Sequence, residues 1–444
     1  MLTAEDNRLL TTSGAGTAMG TLLRRFWTPV LLAEEIPARD GPPVKVTIMG
    51  EALLAFRDSD GRIGLIDQVC PHRGANLWLG RNEECGIRCS YHGWKFDVTG
   101  QCTDMPTSYP DLDAKGKVRI KAYPTAEAGG IVWAYLGPAD KMPEMPAMEL
   151  LSVPASHRHV GKKWQDCNWV QAVEGNIDTA HFTFAHLTFD KGEHETLDIG
   201  RHLVSPVSRY GADHSRWIAR DPRPLIKVTA HAAGLAVGGG RIADGDDIYW
   251  RIAQFLMPNH AYAPNAFPGE NIFGQSFLPV TDTGTWIFTY AWNPERPITD
   301  AERAMYRAGN GVFAQVGPDY VPLRNRANDY RIDRAAQKTR SYTGITGISE
   351  QDAALQDSQG PIADRTREHL GPTDVGLLHF RKLMLDSARA LAVGVEPPAA
   401  TAPRAYAVRS GASVTHKSKD FSTVMTERFG TVTGHAGPVA KAAE

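Results

Sequence analysis

Cys70-Pro71-His72-Arg73-Gly74-Ala75 and Cys89-Ser90-Tyr91-His92-Gly93-Trp94-Lys95-Phe96 carry the pattern on which this chain of 444 residues turns: C-x-H, sixteen intervening residues, then C-x2-H. Each half is short enough to aim a thiolate and an imidazole at one point. A two-iron, two-sulfide cluster with two thiolates on one iron and two neutral imidazoles on the other needs such a paired grip. The imidazoles raise its reduction potential above that of an all-cysteine ferredoxin. Tetrahedral zinc is the competitor, because two Cys and two His also suit it. Against zinc, the single residue between Cys70 and His72 departs from common finger spacings. Pro71, Gly74, Tyr91, Gly93 and Trp94 crowd both loops, as expected where backbone amides approach sulfide.

Working outward, residues 44–66 alternate apolar and polar side chains, with a turn signal at Asp58-Ser59-Asp60-Gly61. They read as antiparallel strands that feed the first loop. Strand character continues through residues 130–136. Residues 22–32 read as a short amphipathic helix that stops before Pro29. Pro138, Pro143, Pro146 and Pro154 interrupt any regular pattern and mark a linker. Beyond it, strand signals return at 228–237, 248–256 and 285–292. Thr299-Asp300-Ala301-Glu302 is a capping box opening a helix toward Val316. A long apolar-faced helix is expected over 376–393. The divisions are a lead-in at 1–40, a cluster domain at 41–140, a linker at 141–160, a second domain at 161–396 and a polar tail at 397–444. The tail is expected to wrap a neighbour or to lack fixed structure in part.

A second constellation lies in Asn168-Trp169, Glu174-Gly175, Asp178, His181 and His186. Two His and one carboxylate, leaving open positions, form the facial triad of non-haem ferrous oxygenases. Five residues along a regular helix turn through about 500°, which would set His181 and His186 roughly 140° apart. A helix end, a break or a π-bulge between them is therefore required.

Both stretches resemble Rieske non-haem iron ring-hydroxylating oxygenases, and the single type of subunit resembles the phthalate dioxygenase-like branch. Ala75 and Tyr91 stand where respiratory Rieske proteins add disulfide-forming cysteines, so the loops resemble the lower-potential oxygenase type. The resemblance implies an α+β fold: a Rieske β domain holding [2Fe-2S] on Cys70, His72, Cys89 and His92, then a helix-grip catalytic domain of antiparallel sheet plus helices. It implies mononuclear Fe(II) on His181, His186 and a distant carboxylate. Asp352 occupies the matching position of the family segment over 344–356, with Asp357 its competitor. It gives Asp178 a catalytic role, bridging His92 of a neighbouring subunit to an iron-bound histidine in a homotrimer or a multiple of one. It also implies O2 and a separate NADH-dependent reductase of the flavin and ferredoxin type. Gly238-Gly239-Gly240 lacks the βαβ context of a nucleotide site.

An aromatic acid is the expected substrate, and a buried carboxylate needs a cation, best an Arg fork. Arg241, directly after the three glycines, is the first candidate, the glycines giving a substrate room. Arg223, in a proline-flanked loop, is the second. Ring hydroxylation and O-demethylation use the same ligands, so both outcomes stay open. A Rieske electron carrier without catalysis is the rival class, and the size of the second domain speaks against it.

Composition narrows the partners. A formal charge of −2 offers no basic excess for nucleic acid or anionic membranes. The acidic start is unlike a signal peptide, and no run of eighteen apolar residues occurs. Three of five cysteines remain outside the cluster at irregular spacing, a poor disulfide framework. These features point to the cytoplasm.

Overall fold

The computed structural model describes residues 1–109, 114–187, 213–264 and 266–430. The N-terminal unit consists of three small antiparallel sheets. One joins Val44–Ile48, Glu51–Arg57 and Ile63–Asp67, and a four-stranded one runs through Arg81–Glu83, Gly86–Arg88, Lys95–Phe96 and Cys102–Asp104. The third sets Trp27–Leu32 beside Ile131–Tyr135 and Thr125–Ala128. The helix expected to start at Leu22 and stop before Pro29 lies earlier: Ala18–Leu23 is helical, and Trp27–Leu32 is already a strand. Pro29 sits in that strand next to a register shift between Pro29 and Leu31, at a sheet edge where a missing N–H is tolerated.

The C-terminal unit is built on one eight-stranded antiparallel sheet. Its path runs Arg158–Gln165, Gly284–Trp292, Ile272–Thr281, His260–Tyr262, Asp247–Leu256, Gly234–Ile242 and Leu225–His231. The apolar stretch expected as one strand over 228–237 is a hairpin that turns between His231 and Gly234. The helices Trp169–Ile177 and Val375–Ala392 pack with this sheet, contributing Trp169, Val173, Phe380 and Met384 to the same core as Phe255, Leu256 and Tyr262, and the helix Ile348–Ser358 packs on Trp169–Ile177. That core is continuous with Trp27, Val132 and Trp133 of the first unit. Backbone pairs Met49 N–Pro279 O and Gly50 N–Val280 O, both 2.8 Å, fasten the two units further.

Two stretches differ from their sequence reading. The expected tail supplies the eighth strand, Gly411–His416, which pairs in register with Asp247–Ile252. The helix Phe421–Arg428 then lays Phe421 on Trp250, ring centroids 4.9 Å apart. The expected linker is packed too: Glu149, buried, accepts from Trp292 Nε1 at 2.9 Å and pairs with Arg409 at 2.5 Å. Such partners lie more than a hundred residues away in sequence, so no local pattern announces them. Among the described residues no helix is long and apolar enough to cross a membrane.

Candidate active site

The two Cys/His loops are the same turn built twice. Cys70 N–H donates to Ala75 O and Gly74 N–H to Cys70 O; Cys89 N–H donates to Trp94 O and Gly93 N–H to Cys89 O, all at 2.8–2.9 Å. Gly74 and Gly93 make the turn with φ of +74° and +77°, the left-handed region that favours glycine. The cysteines are buried, while His72 and His92 are half-buried with ring centroids 4.4 Å apart. His72 also stacks on Trp94. Burial first, with the Cys89 thiol beside it, pushes the Cys70 thiol up to about 11 against the lowering hydrogen bond from the His72 backbone. No three of these four donors lie within 4.8 Å of one another, whereas one tetrahedral ion would draw all four to roughly 3.4–3.8 Å. The donor set therefore fits a two-iron cluster better than zinc.

In the C-terminal unit the required helix irregularity is present. The helix Trp169–Ile177 is capped by the Asn168 side chain, which accepts from Val170 N–H, and ends at Asp178, whose backbone is extended. The chain re-enters a short helix, Phe182–Ala185, with His181 at its start and His186 at its end. The break swings both imidazoles to one point: His181 Nε2 and His186 Nε2 lie 3.1 Å apart. Asp352, on the helix Ile348–Ser358, brings Oδ1 to 3.5 and 3.2 Å from them. Donors sharing one small cation at about 2.1 Å stand roughly 3.0–3.4 Å apart, so this set fits a ferrous ion. Asp357 takes no part; it accepts the Tyr330 hydroxyl at 2.6 Å. Without a cation, burial would keep His181 neutral, yet the carboxylates of Asp178 and Asp352 raise it to about 10. Burial would raise Asp352, but His186 and His181 hold it well below the usual carboxylate range.

Asp178 stands between this centre and the surface. Its Oδ1 accepts Ala180 N–H at 2.7 Å, and its Oδ2 lies 3.5 Å from His181 Nδ1.

The comparisons with known proteins agree with this geometry. A Rieske [2Fe-2S] domain model matches residues 26–124, and a model described as LigXa C-terminal domain like matches residues 134–433. The chain is 36% identical to the 3-chlorobenzoate-3,4-dioxygenase oxygenase subunit of Comamonas testosteroni, over 97% of this chain and 99% of that one. It belongs to the Rieske non-haem iron oxygenases. The phthalate 4,5-dioxygenase oxygenase subunit of Pseudomonas putida is 37% identical over 89% of this chain and 88% of its own. The 5,5'-dehydrodivanillate O-demethylase oxygenase subunit of a Sphingobium species is 31% identical over 90% and 83%. Among solved structures, the terminal oxygenase of carbazole 1,9a-dioxygenase from Nocardioides aromaticivorans shares the fold, with a TM-score of 0.54 at 19% identity over 86% of this chain and 97% of that one. Oxygenase subunits of this family carry a Rieske cluster and a mononuclear iron.

Two further side chains support the site: Gln351, which the sequence reading did not single out, and Glu174, which it did. Gln351, next to Asp352, donates through Nε2 to Ile345 O at 2.8 Å, which turns its Oε1 to His186 Nδ1 at 2.7 Å. That contact fixes the proton on Nδ1 and leaves Nε2 free for a metal. Gln351→Leu should therefore weaken ferrous binding about 10- to 100-fold with the Rieske spectrum unchanged, as an iron titration would read. Glu174, buried one turn before Asp178, pairs with Arg365 at 2.7 Å and Arg381 at 2.6 Å and anchors the ligand helix. Its own signal was the acidic residue of the second constellation, which the sequence reading associated with iron.

The arginines expected to bind substrate stand elsewhere. Arg223 is exposed in its loop. Arg241 is buried but does not line the cavity beside the triad; its Nη2 donates to Thr179 O at 2.7 Å and its Nε to Asp221 O at 3.1 Å. The three glycines are likewise filled: a Cβ on Gly239 would meet Thr179 Oγ1 at 1.9 Å, and Gly238 and Gly240 lie against Phe421 and Trp250. Gly239 and Arg241, two residues apart on one face of their strand, clamp the break that aims His181 and His186. Arg241→Met leaves two carbonyls without their donors at a cost of about 1–3 kcal/mol. It should lower thermal stability and iron retention, and depress turnover of an aromatic acid and of its neutral analogue equally.

A cavity lies beside the triad, with His181 and Asp352 in its wall. Phe182, Phe277, Ile287, Val312 and Ile348 give it apolar walls suited to an aromatic ring, while Lys163, Gln165 and Asn176 give it a polar portion.

Proposed function

We propose that this oxygenase component hydroxylates a carboxylate-bearing aromatic substrate with O2, taking electrons one at a time from a separate NADH-dependent reductase of the flavin and ferredoxin type. The observation that carries this reading is the convergence of His181, His186 and Asp352 beside an apolar cavity that His181 and Asp352 line. Iron bound there supplies dioxygen activation at open coordination positions. Cys70, His72, Cys89 and His92 hold the cluster, with the half-buried imidazoles as its outward edge. Asp178 links that edge, on a neighbouring subunit, to His181, which makes the working unit a trimer or a multiple of one. The carboxylate finds support in the relatives, one named for a chlorobenzoate and one for phthalate. Outside the cluster loops, Cys85, Cys102 and Cys167 join no disulfide, which suits a reducing cytoplasm.

The relative named as an O-demethylase favours a second reading, removal of a methyl group from an aryl ether acid. Product analysis separates the two. The purified oxygenase, supplied with reductase, NADH and O2, is offered a panel of benzoates, phthalates and methoxybenzoates. A diol identifies ring dihydroxylation, whereas a phenol with formaldehyde identifies demethylation. Oxygen uptake without either product, across the panel, would overturn the proposal.

A further inference from the structure

Lys163 is the most unusual group in the cavity. It lies on the strand Arg158–Gln165, 3% exposed, and lines the same cavity as His181 and Asp352. Lysine is rarely buried unless paired, because an isolated ammonium loses its hydration at large cost. Here Nζ donates to Ser349 Oγ at 2.6 Å and to Ser349 O at 3.3 Å. Among the described residues no carboxylate is in direct ion-pair contact with it. An ammonium has three N–H donors, so one remains uncommitted. The acids Asp352, Glu350 and Asp357 act on it only at longer range, and burial pushes its pKa down against them. Two neighbours in the cavity wall share this incompleteness. Gln165 and Asn176 each keep a buried amide oxygen without a hydrogen-bond donor among the described residues. Buried polar groups are normally satisfied, and a cluster of incomplete ones around a cavity marks where a ligand's polar groups belong.

We infer that Lys163 is the anion subsite of the substrate cavity, receiving the carboxylate of an aromatic acid while the ring lies among Phe182, Phe277 and Ile287. This rests on the proposed aromatic-acid reading and gives it a residue. Ser349 aims the ammonium from the first turn of the helix that bears Asp352, so anion and iron are held in fixed relation by one helix. The rival position on the sheet is Arg251, buried, with Cζ 3.8 Å from the centroid of the Phe182 ring and with Nε and Nη2 lacking partners among the described residues. It does not line the cavity.

The test uses the full chain carrying cluster and iron, with 3-chlorobenzoate and phthalate as acid probes and their neutral amides as isosteres. Dissociation constants are measured by calorimetry for wild type, Lys163→Met, Lys163→Arg and Arg251→Met, with cluster absorbance and melting temperature as controls. Lys163→Met should weaken the acids about 30-fold or more and the amides by less than about threefold. Lys163→Arg should restore most of the preference for acid. Equal weakening of acids and amides, or a preference lost only in Arg251→Met, would overturn the assignment of the subsite to Lys163 while leaving the aromatic-acid reading intact. A wild-type enzyme with no preference for acid over amide would overturn that reading, and Lys163 with it.

Discussion

Replacing Asp352 with Ala should empty the catalytic iron site and abolish turnover while the Rieske cluster keeps its visible spectrum. The expectation follows from the donor set. Asp352 Oδ1 is the only carboxylate oxygen in the triad, 3.2 Å from His186 Nε2 and 3.5 Å from His181 Nε2. Without it, two neutral imidazoles hold the ion by themselves, and the negative charge that offsets the metal is lost. The cluster ligands lie in another sheet system, on Cys70 and Cys89 loops closed by their own backbone hydrogen bonds, and should not respond. Iron analysis should fall from about three to about two per chain, by the ligand count of a two-iron cluster plus one ion. Asp357→Asn is the control. That carboxylate is engaged by Tyr330 and should leave the iron count at about three. An Asp352→Ala enzyme that keeps its third iron and its activity would put the carboxylate ligand elsewhere.

What the sequence made legible and what it hid have physical reasons. The cluster loops were legible because the backbone hydrogen bonds that shape them are local: each turn closes on itself within six residues. The helix break between Ile177 and His181 was legible as a requirement, since a regular helix cannot turn both histidines to one side. The helix Val375–Ala392 and the capping box at Thr299 also followed from local spacing, although that helix ends at Arg307, before two positive-φ glycines at 309 and 311. The eighth strand, Gly411–His416, was hidden because its partner Asp247–Ile252 lies more than 150 residues away. Arg241 misled for a related reason: the strand showed its burial, but only the fold shows Thr179 O in front of it. Gln351 and Lys163 left weaker traces. Gln351 follows directly from the Asp352 assignment as its neighbour on a buried helix face. In Arg158–Gln165, Lys162 and Lys163 are consecutive and both buried, so alternation alone could not tell which one lines the cavity.

Asp178→Asn should produce the opposite phenotype to Asp352→Ala: both metals present, yet turnover reduced about 10- to 100-fold. The wild-type carboxylate has two separate attachments. Oδ1 accepts Ala180 N–H at 2.7 Å and shapes the break, while Oδ2 faces His181 Nδ1 at 3.5 Å and part of the carboxylate reaches solvent. Burial would raise its pKa, but His181 and the Ala180 and His181 amides hold it below the ordinary Asp value, so it stays ionised at neutral pH. Asparagine keeps an oxygen for Ala180 and hence the local fold, so iron and melting temperature should survive. It removes the negative charge and sets an N–H₂ against the imidazole N–H, two donors facing each other. Electron delivery is therefore the step that should fail. The measurement is a single turnover: prereduced enzyme is mixed with substrate and O2, and reoxidation of the cluster is followed by absorbance. Wild type should reoxidise its cluster in step with product formation, whereas the Asp178→Asn cluster should stay reduced and form little product. In the proposed trimer the bridge joins subunits, so activity should also vanish on dilution to the monomer. Full activity of Asp178→Asn, or a strictly monomeric enzyme that turns over normally, would remove Asp178 from the electron path and leave its contact with Ala180 as its whole role.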